Sequence, residues 1–477
     1  MAENNNGKLG LGALIAIVVG SMIGGGVFSL PQNIASGAAP GAVIIGWIIT
    51  GIGMIGLAFV YQNLSMRKPE LNAGVFSYAK AGFGDFIGFT SAWGYWLSAL
   101  LGNVSYAVVF FSAMSFFFPI FGSGNNWQSI LVASILLWLI HALILKGVEE
   151  AAIINVITTI AKLVPIFVFI TAVIIAFNLK TFNLDFWGSG SLKLGSVLKQ
   201  VKNTMLVTLW VFIGIEGAIV VSARARKRSD IGRATIIGLL GALTIYIMVT
   251  LLSFGIMSQP ELAGLKNPSM AEVLKVAVGP WGAIVIAAGL LISIAGAFLA
   301  WTLLAAEIAY SAASSGDFPS FFAKVNAKGS PSGALWVTNG LVQFFLLVTL
   351  VYHAGYLTLL DIATTAILIP YVFSAAYAWK LTITGESYEQ NNRGRTRDKV
   401  IGIIATVYGC WLVYAAGLSY LLLVAILYVP GIYFYWKAGK EAAKSRIFTG
   451  VAKLIAVVLI IIAIIAIVSL ITGAVKI

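Results

Sequence analysis

"GSMIGGGVFSLP", residues 20–31, carries three consecutive glycines, Gly24, Gly25 and Gly26, inside an apolar run. Such a stretch reads either as a phosphate cradle or as a deliberately broken membrane helix. A P-loop needs Lys and Ser or Thr directly after its glycines. A dinucleotide-binding turn needs a strand before it and an acid about 20 residues further on. Neither pattern is present. Composition separates the two readings further: 60% of the 477 residues are hydrophobic and 10% are charged. Soluble domains have about 45–50% apolar and about 25% charged residues, so the chain belongs in a bilayer.

Thirteen apolar segments are long enough to cross one: 10–31, 42–63, 86–118, 129–145, 152–178, 199–223, 232–257, 281–313, 334–352, 355–379, 399–416, 418–437 and 450–475. The first is no cleavable signal, because its run continues to Leu30 and many spans follow. The expected organisation is a cytoplasmic tail (1–9), a ten-helix core (10–379), a cytoplasmic loop (380–398), two accessory helices (399–437), a second loop (438–449) and an extra C-terminal helix (450–477). The single cysteine, Cys410, lies in an apolar run and is expected to be a packed core thiol. One cysteine and two histidines supply no disulfide framework or metal spacing, so no cofactor or metal is called for.

Basic residues orient the spans. With the N-terminus in the cytoplasm and residues at span ends counted with the adjoining connection, the tail and inward connections hold 22 Lys and Arg, the outward ones and the C-terminal end hold 7, and Lys162 alone lies in the middle of a span. The runs "RARKRSDIGR" (224–233), "RGRTRDK" (393–399) and "KAGKEAAKSR" (437–446) are therefore topology signals beside anionic membrane lipid. They are short, separate and pinned to the membrane, which argues against nucleic acid as a partner.

Unpaired backbone groups are not tolerated in hydrocarbon, so irregular chain at that depth must be buried in protein or line a cavity. The sixth span, "TLWVFIGIEGAIVVS" (208–222), is interrupted like the first, with Gly214 and Gly217 flanking Glu216. An acid at that depth costs about 2.5–3.5 kcal/mol and marks a functional site by default. Spans one and six are corresponding positions of two five-helix halves. Paired interruptions there point to an inverted-repeat transporter with its site at the midplane. The alternative is close helix packing through small residues, as in Gly20-Ser-Met-Ile-Gly24. The fold expected is an all-α membrane protein, a 5+5 inverted-repeat bundle of 12 to 13 transmembrane helices with the first and sixth broken.

With "WVFIGIEGAIVVSARARKRSDIGRATIIG" (210–238) and "WTLLAAEIAYSAASSGDFPSFFAKVNAKGSPSGALW" (301–336), these motifs resemble the amino acid–polyamine–organocation transporters. Within them the chain is similar to the basic amino acid/polyamine antiporters, and most of all to arginine/ornithine antiporters. The resemblance covers spans one to twelve; the extra span departs from it. It implies that the N–H groups of Gly24, Gly25 and Gly26 hold a substrate α-carboxylate. The carbonyls of Met22, Trp210 and Ile213 would then accept from the α-ammonium. Ser21 stands where arginine/agmatine exchangers often have Asn. Trp301 would be an aromatic platform for the side-chain cation, worth about 0.5–2 kcal/mol. In "YWLSALLGNVSY" (95–106) the Ser98 and Ala99 carbonyls and the Asn103 amide would cap its distal nitrogen, with helix–helix hydrogen bonding as the other reading. Trp210 would be the gate that covers the substrate.

Glu216 is either an anion facing the substrate or a structural acid bonded to Tyr95 or Tyr371, which the resemblance places at an outer gate. Lys162, in "NVITTIAKLVPI" (155–166), must face the interior. By resemblance it occupies the place of a sodium ion, and it acts as a tether or in proton coupling. Glu307, six residues after Trp301, either lines the inner pathway or packs. His141 and His353 show no partner pattern, and Asp361 stays unassigned.

The function expected is exchange of cationic amino acids, arginine for ornithine, by alternating access across the cell membrane, with a second copy of the chain as an allowed partner. The nearer rivals are a proton-coupled lysine or arginine permease and an exchanger of arginine for agmatine or a polyamine. A channel would show rings of like residues lining a pore. An enzyme would gather a nucleophile and base. The sequence shows neither.

Overall fold

The computed structural model describes residues 10–71, 74–188, 190, 192–220, 225–352, 355–389, 393–443 and 447–473. The expected tail (1–9), His353 and the last four residues lie outside them. Among the described residues every element is helical apart from turns and one isolated bridge residue.

Span one is split into α1 (Leu11–Met22) and α2 (Gly26–Ala35), bent by 44° at the glycines. Next come α3 (Pro40–Arg67), the short α4 (Val75–Phe83), α5 (Asp85–Met114), α6 (Trp127–Lys146) and α7 (Val148–Ala176). After the one-turn α8 (Leu179–Phe182), span six runs as α9 (Leu194–Trp210), unwinds over 211–216, and resumes as α10 (Gly217–Val220). The second half continues with α11 (Arg228–Ser253), short α12 (Gln259–Ala263) and α13 (Ser269–Val278), α14 (Pro280–Ser314), α15 (Ser332–Tyr352), α16 (Tyr356–Ala366) and α17 (Leu368–Thr384). α18 (Arg395–Glu441) and α19 (Gly450–Ile471) complete the chain.

Local chemistry sets the ends. Pro40 opens α3 and Pro280 opens α14, each in the first turn where no N–H is required. Asn126 caps α6 by accepting the Ser129 N–H at 2.9 Å. α18 has 47 residues, or about 70 Å at 1.5 Å per residue, more than twice a hydrocarbon core of about 30 Å. Gly417, non-helical at φ 78° and ψ 162°, divides it into spans eleven and twelve at the boundary expected from sequence. Ten helices are long and apolar enough to cross alone, and the bent α1–α2 pair is an eleventh. With α9–α10 and the division at Gly417, every expected segment has its helix.

The basic ends meet on one face. Arg67 at the end of α3 bonds Asp398 at 3.3 Å, and the Tyr388 hydroxyl donates to the same carboxylate at 2.9 Å. The Arg67 guanidinium also lies 3.6 Å from the centre of the Tyr388 ring. Lys80 on α4 pairs with buried Asp317 after α14 at 2.7 Å. Lys68 bonds Glu386, which raises the lysine above its ordinary pKa.

Two expectations change. Cys410 is exposed on the outer side of α18, not packed in the core. In a membrane protein the lipid-facing and buried sides of a helix are both apolar, so hydrophobicity does not tell them apart. His141 is buried, and its Nδ1 lies 3.1 Å from the Asn339 amide of α15.

Candidate functional site

The two interruptions face each other at the centre of the bundle. Gly214, in the unwound part of span six, has φ +108°, a conformation open chiefly to glycine. A Cβ there would lie 2.8 Å from the backbone carbon of Ser21. Ser21 in turn donates to the Gly214 carbonyl at 2.8 Å, so the two broken spans are bonded directly. Tyr246 of α11 donates to the Val211 carbonyl at 2.8 Å, satisfying another group freed by the unwinding.

In span one the glycines bring the backbone close to large side chains. A Cβ on Gly24 would lie 2.7 Å from the Tyr106 hydroxyl, and one on Gly26 would lie 3.0 Å from Trp210 Nε1. The Gly24 N–H donates to the Met22 carbonyl at 3.0 Å, and the Ser293 hydroxyl donates to the Gly24 carbonyl at 3.1 Å. This corrects the expectation that all three glycine N–H groups are free. The tight turn that bends span one by 44° closes a bond across Ile23 and consumes one of them. The Gly25 and Gly26 N–H groups, at the start of α2, have no partner among the described residues, as expected of a helix N-terminus. The Met22 and Trp210 carbonyls also accept turn bonds, the latter from the Ile213 N–H at 3.2 Å, and each keeps one lone pair.

Beside these breaks lies a small, nearly closed cavity of about 10 Å³, room for about one water in this state, lined by Ser98, Gly102, Tyr106, Trp210, Ile213 and Trp301. Ser98, Gly102 and Tyr106 recur every four residues on α5 and form one stripe. Among the described residues the Ser98 hydroxyl and the Asn103 amide oxygen are buried without hydrogen-bond partners, while the Asn103 amide nitrogen lies 3.4 Å from Thr302. Ala99 is buried next to this stripe. Trp301, on α14, points its indole N–H at the Ser21 carbonyl, 3.4 Å away. Trp210 and Tyr106 have ring centres 5.9 Å apart. The arrangement offers main-chain donors, aromatic faces and unpartnered polar atoms to one small amphipathic molecule.

Glu216 is fully buried and does not line the cavity. Its carboxylate accepts from the Tyr95 hydroxyl at 2.6 Å, the Tyr371 hydroxyl at 2.7 Å and the Gly214 N–H at 3.3 Å. Tyr95 lies in the half of α5 nearer the basic face, and Tyr371 follows the α16–α17 junction on the way to that face. The cluster therefore lies on the basic side of Trp210. This corrects the outer position implied by the resemblance, because α9 enters from the opposite face and reaches Glu216 only after Trp210.

Lys162 is buried on α7, and its ammonium donates to the Gly20 carbonyl at 2.6 Å, one turn before the break. Lys162→Met would leave that carbonyl unpartnered, a penalty of about 1–3 kcal/mol. The expected result is a lower melting temperature in detergent, read by intrinsic tryptophan fluorescence; an unchanged transition would show that the bond does not hold span one. Glu307 lies half-buried further along α14 than Trp301, outside the cavity lining.

Sequence reasoning missed Tyr106, Gly102 and Ser293. The four-residue spacing from Ser98 could have found the first two. Ser293 follows only from the packing of α14 on the break.

The sequence profile of the amino acid permease family matches residues 9–435. The chain is 55% identical over 462 residues to the arginine/ornithine antiporter of Pseudomonas aeruginosa, covering 95% of each. It is 51% identical to a putative arginine/ornithine antiporter of Escherichia coli, over 91% of this chain and 92% of the relative. An arginine/agmatine antiporter of Chlamydia caviae is 44% identical over 96% of each. With the broken spans one and six in place, this chain belongs to the amino acid permease family of the amino acid–polyamine–organocation superfamily.

Proposed function

We propose that this protein exchanges arginine for ornithine across the cytoplasmic membrane by alternating access, with its basic face and N-terminus in the cytoplasm. The observation that carries this reading is the meeting of two main-chain breaks at a cavity walled by Trp210 and Trp301. The Gly25 and Gly26 N–H groups, with the positive end of α2 behind them, receive the α-carboxylate. The remaining lone pairs of the Met22 and Trp210 carbonyls, with the Ile213 carbonyl, receive the α-ammonium. The side-chain cation lies against the Trp301 indole, where the ring quadrupole attracts it. The Ser98 and Asn103 oxygens, buried without partners, accept from its distal nitrogens. Because arginine and ornithine share the amino acid head and the same net charge, their exchange moves no charge and requires no ion gradient.

The remaining groups work on the conformational equilibrium. Glu216, Tyr95 and Tyr371 close the route to the cytoplasm as a hydrogen-bonded latch, the structural alternative of the two weighed for Glu216. Lys162 tethers span one where a cation would otherwise be needed, and Glu307 borders the inner route. Trp210 closes over the substrate, a contact that differs between the two facing states and so shifts their balance. One chain holds a whole site, so a homodimer would carry two.

The test is counterflow in liposomes. Vesicles loaded with ornithine or arginine are expected to take up labelled arginine, and empty vesicles are not. Strong uptake into empty vesicles driven by a pH gradient would instead make the protein a proton-coupled permease. Preferred exchange for internal agmatine would place it with the arginine/agmatine antiporters.

A further inference from the structure

Exchange of arginine for ornithine requires refusal of amines that carry the same cation but lack the carboxylate. At the turn in span one, the Gly25 and Gly26 N–H groups supply main-chain donors for that carboxylate. Three side-chain groups surround that turn. The Tyr106 hydroxyl lies where a Gly24 Cβ would be 2.7 Å from it, and it makes no hydrogen bond among the described residues. Trp210 Nε1 lies against Gly26 in the same way, at 3.0 Å. Behind it, Tyr356 of α16 is nine-tenths buried, its hydroxyl beside the Trp210 indole and without a well-formed partner. Tyr106 lines the cavity itself.

All of these groups are donors, or have a proton free to donate, and they gather at the positive end of α2, beside the unpartnered Gly25 and Gly26 N–H groups. Buried donors left without an acceptor are costly, and a carboxylate, with two anionic oxygens, satisfies several of them at once and more strongly than a neutral acceptor. We infer that the Tyr106 hydroxyl, supported by Tyr356 through Trp210, reads the α-carboxylate of the exchanged amino acid and so excludes decarboxylated amines as counter-substrates. The inference rests on the exchange reading above and names its selectivity. An amine without a carboxylate leaves these donors buried and unpaired. Sites built to bond a polar group reject analogues that lack it far more strongly than apolar pockets reject a missing methylene.

The experiment compares labelled arginine entering arginine-loaded vesicles with labelled agmatine entering agmatine-loaded vesicles, in wild type and in Tyr106→Phe. Hydrogen bonds to charged groups are worth a factor of about 10 to 100. Tyr106→Phe is expected to lower kcat/KM for arginine by about that factor while leaving agmatine unchanged or improved. The ratio of the two is the readout, because a merely structural role would depress both together and overturn the inference. If Tyr106→Phe is not recovered as a monodisperse protein, Tyr356→Phe is expected to shift the same ratio in the same direction, and no shift would overturn it as well. Failure of the wild type to exchange arginine for ornithine would instead remove the functional reading underneath.

Discussion

Gly214→Ala is expected to abolish exchange while the protein still inserts and purifies. The added methyl meets three obstacles at once. A residue with a Cβ at φ +108° is strained by about 1–3 kcal/mol. The methyl would lie 2.8 Å from both the backbone carbon and the Cβ of Ser21. Relieving that contact pushes apart the Ser21 hydroxyl and the Gly214 carbonyl, the bond that holds the two breaks together at 2.8 Å. Little can give way, because the near atoms are the main-chain carbon of Ser21, its Cβ, which moves with that main chain, and the hydroxyl that makes the bond. A displacement of about 1 Å in positioned groups costs about a hundredfold in rate, and a fall of at least that size in counterflow is expected. Gly340→Ala, where a Cβ meets nothing within 4 Å, is the control and should exchange normally. Exchange by Gly214→Ala within a few-fold of the control would mean that the two spans move apart freely at no loss.

The second large effect is at Glu216. Glu216→Ala would leave the Tyr95 hydroxyl, the Tyr371 hydroxyl and the Gly214 N–H buried without their acceptor. Each such loss costs about 1–3 kcal/mol, enough in sum to remove exchange and most of the thermal stability in detergent. Glu216→Gln keeps one carbonyl oxygen for a tyrosine and an amide that pairs with the other after its hydroxyl turns, so it should retain part of both. The gap between the two variants distinguishes the roles. A latch predicts Ala far worse than Gln, with KM for arginine little changed in Gln. A carboxylate that gripped the substrate cation directly would make Gln nearly as poor as Ala, through a raised KM. Tyr95→Phe and Tyr371→Phe combined with Glu216→Gln should be less than additive, since all three share one cluster.

Much of this was legible without coordinates. Interrupted apolar segments at 20–31 and 208–222 set the fold, because backbone in hydrocarbon must be paired or must line a cavity, and glycine runs at that depth have few other uses. The lysine inside span five announced an interior partner for the same reason. What stayed hidden depended on which side of a helix a residue faces. Cys410 reads as core in an apolar run and faces outward, because lipid and protein interior select the same side chains.

The sequence by itself thus determined a bundle of 12 to 13 helices apolar enough to cross a membrane, which two are broken, and which connections are basic, since all of these follow from hydrocarbon thickness, main-chain satisfaction and charge. Only the tertiary structure decided that Glu216 is sealed between two tyrosines on the basic side, that Gly24 spends its N–H on Met22, and that Tyr106 reaches the break. Those facts depend on rotation and depth between helices distant in sequence. Such contacts are fixed by packing, and helical periodicity alone carries no record of which neighbour a face will meet.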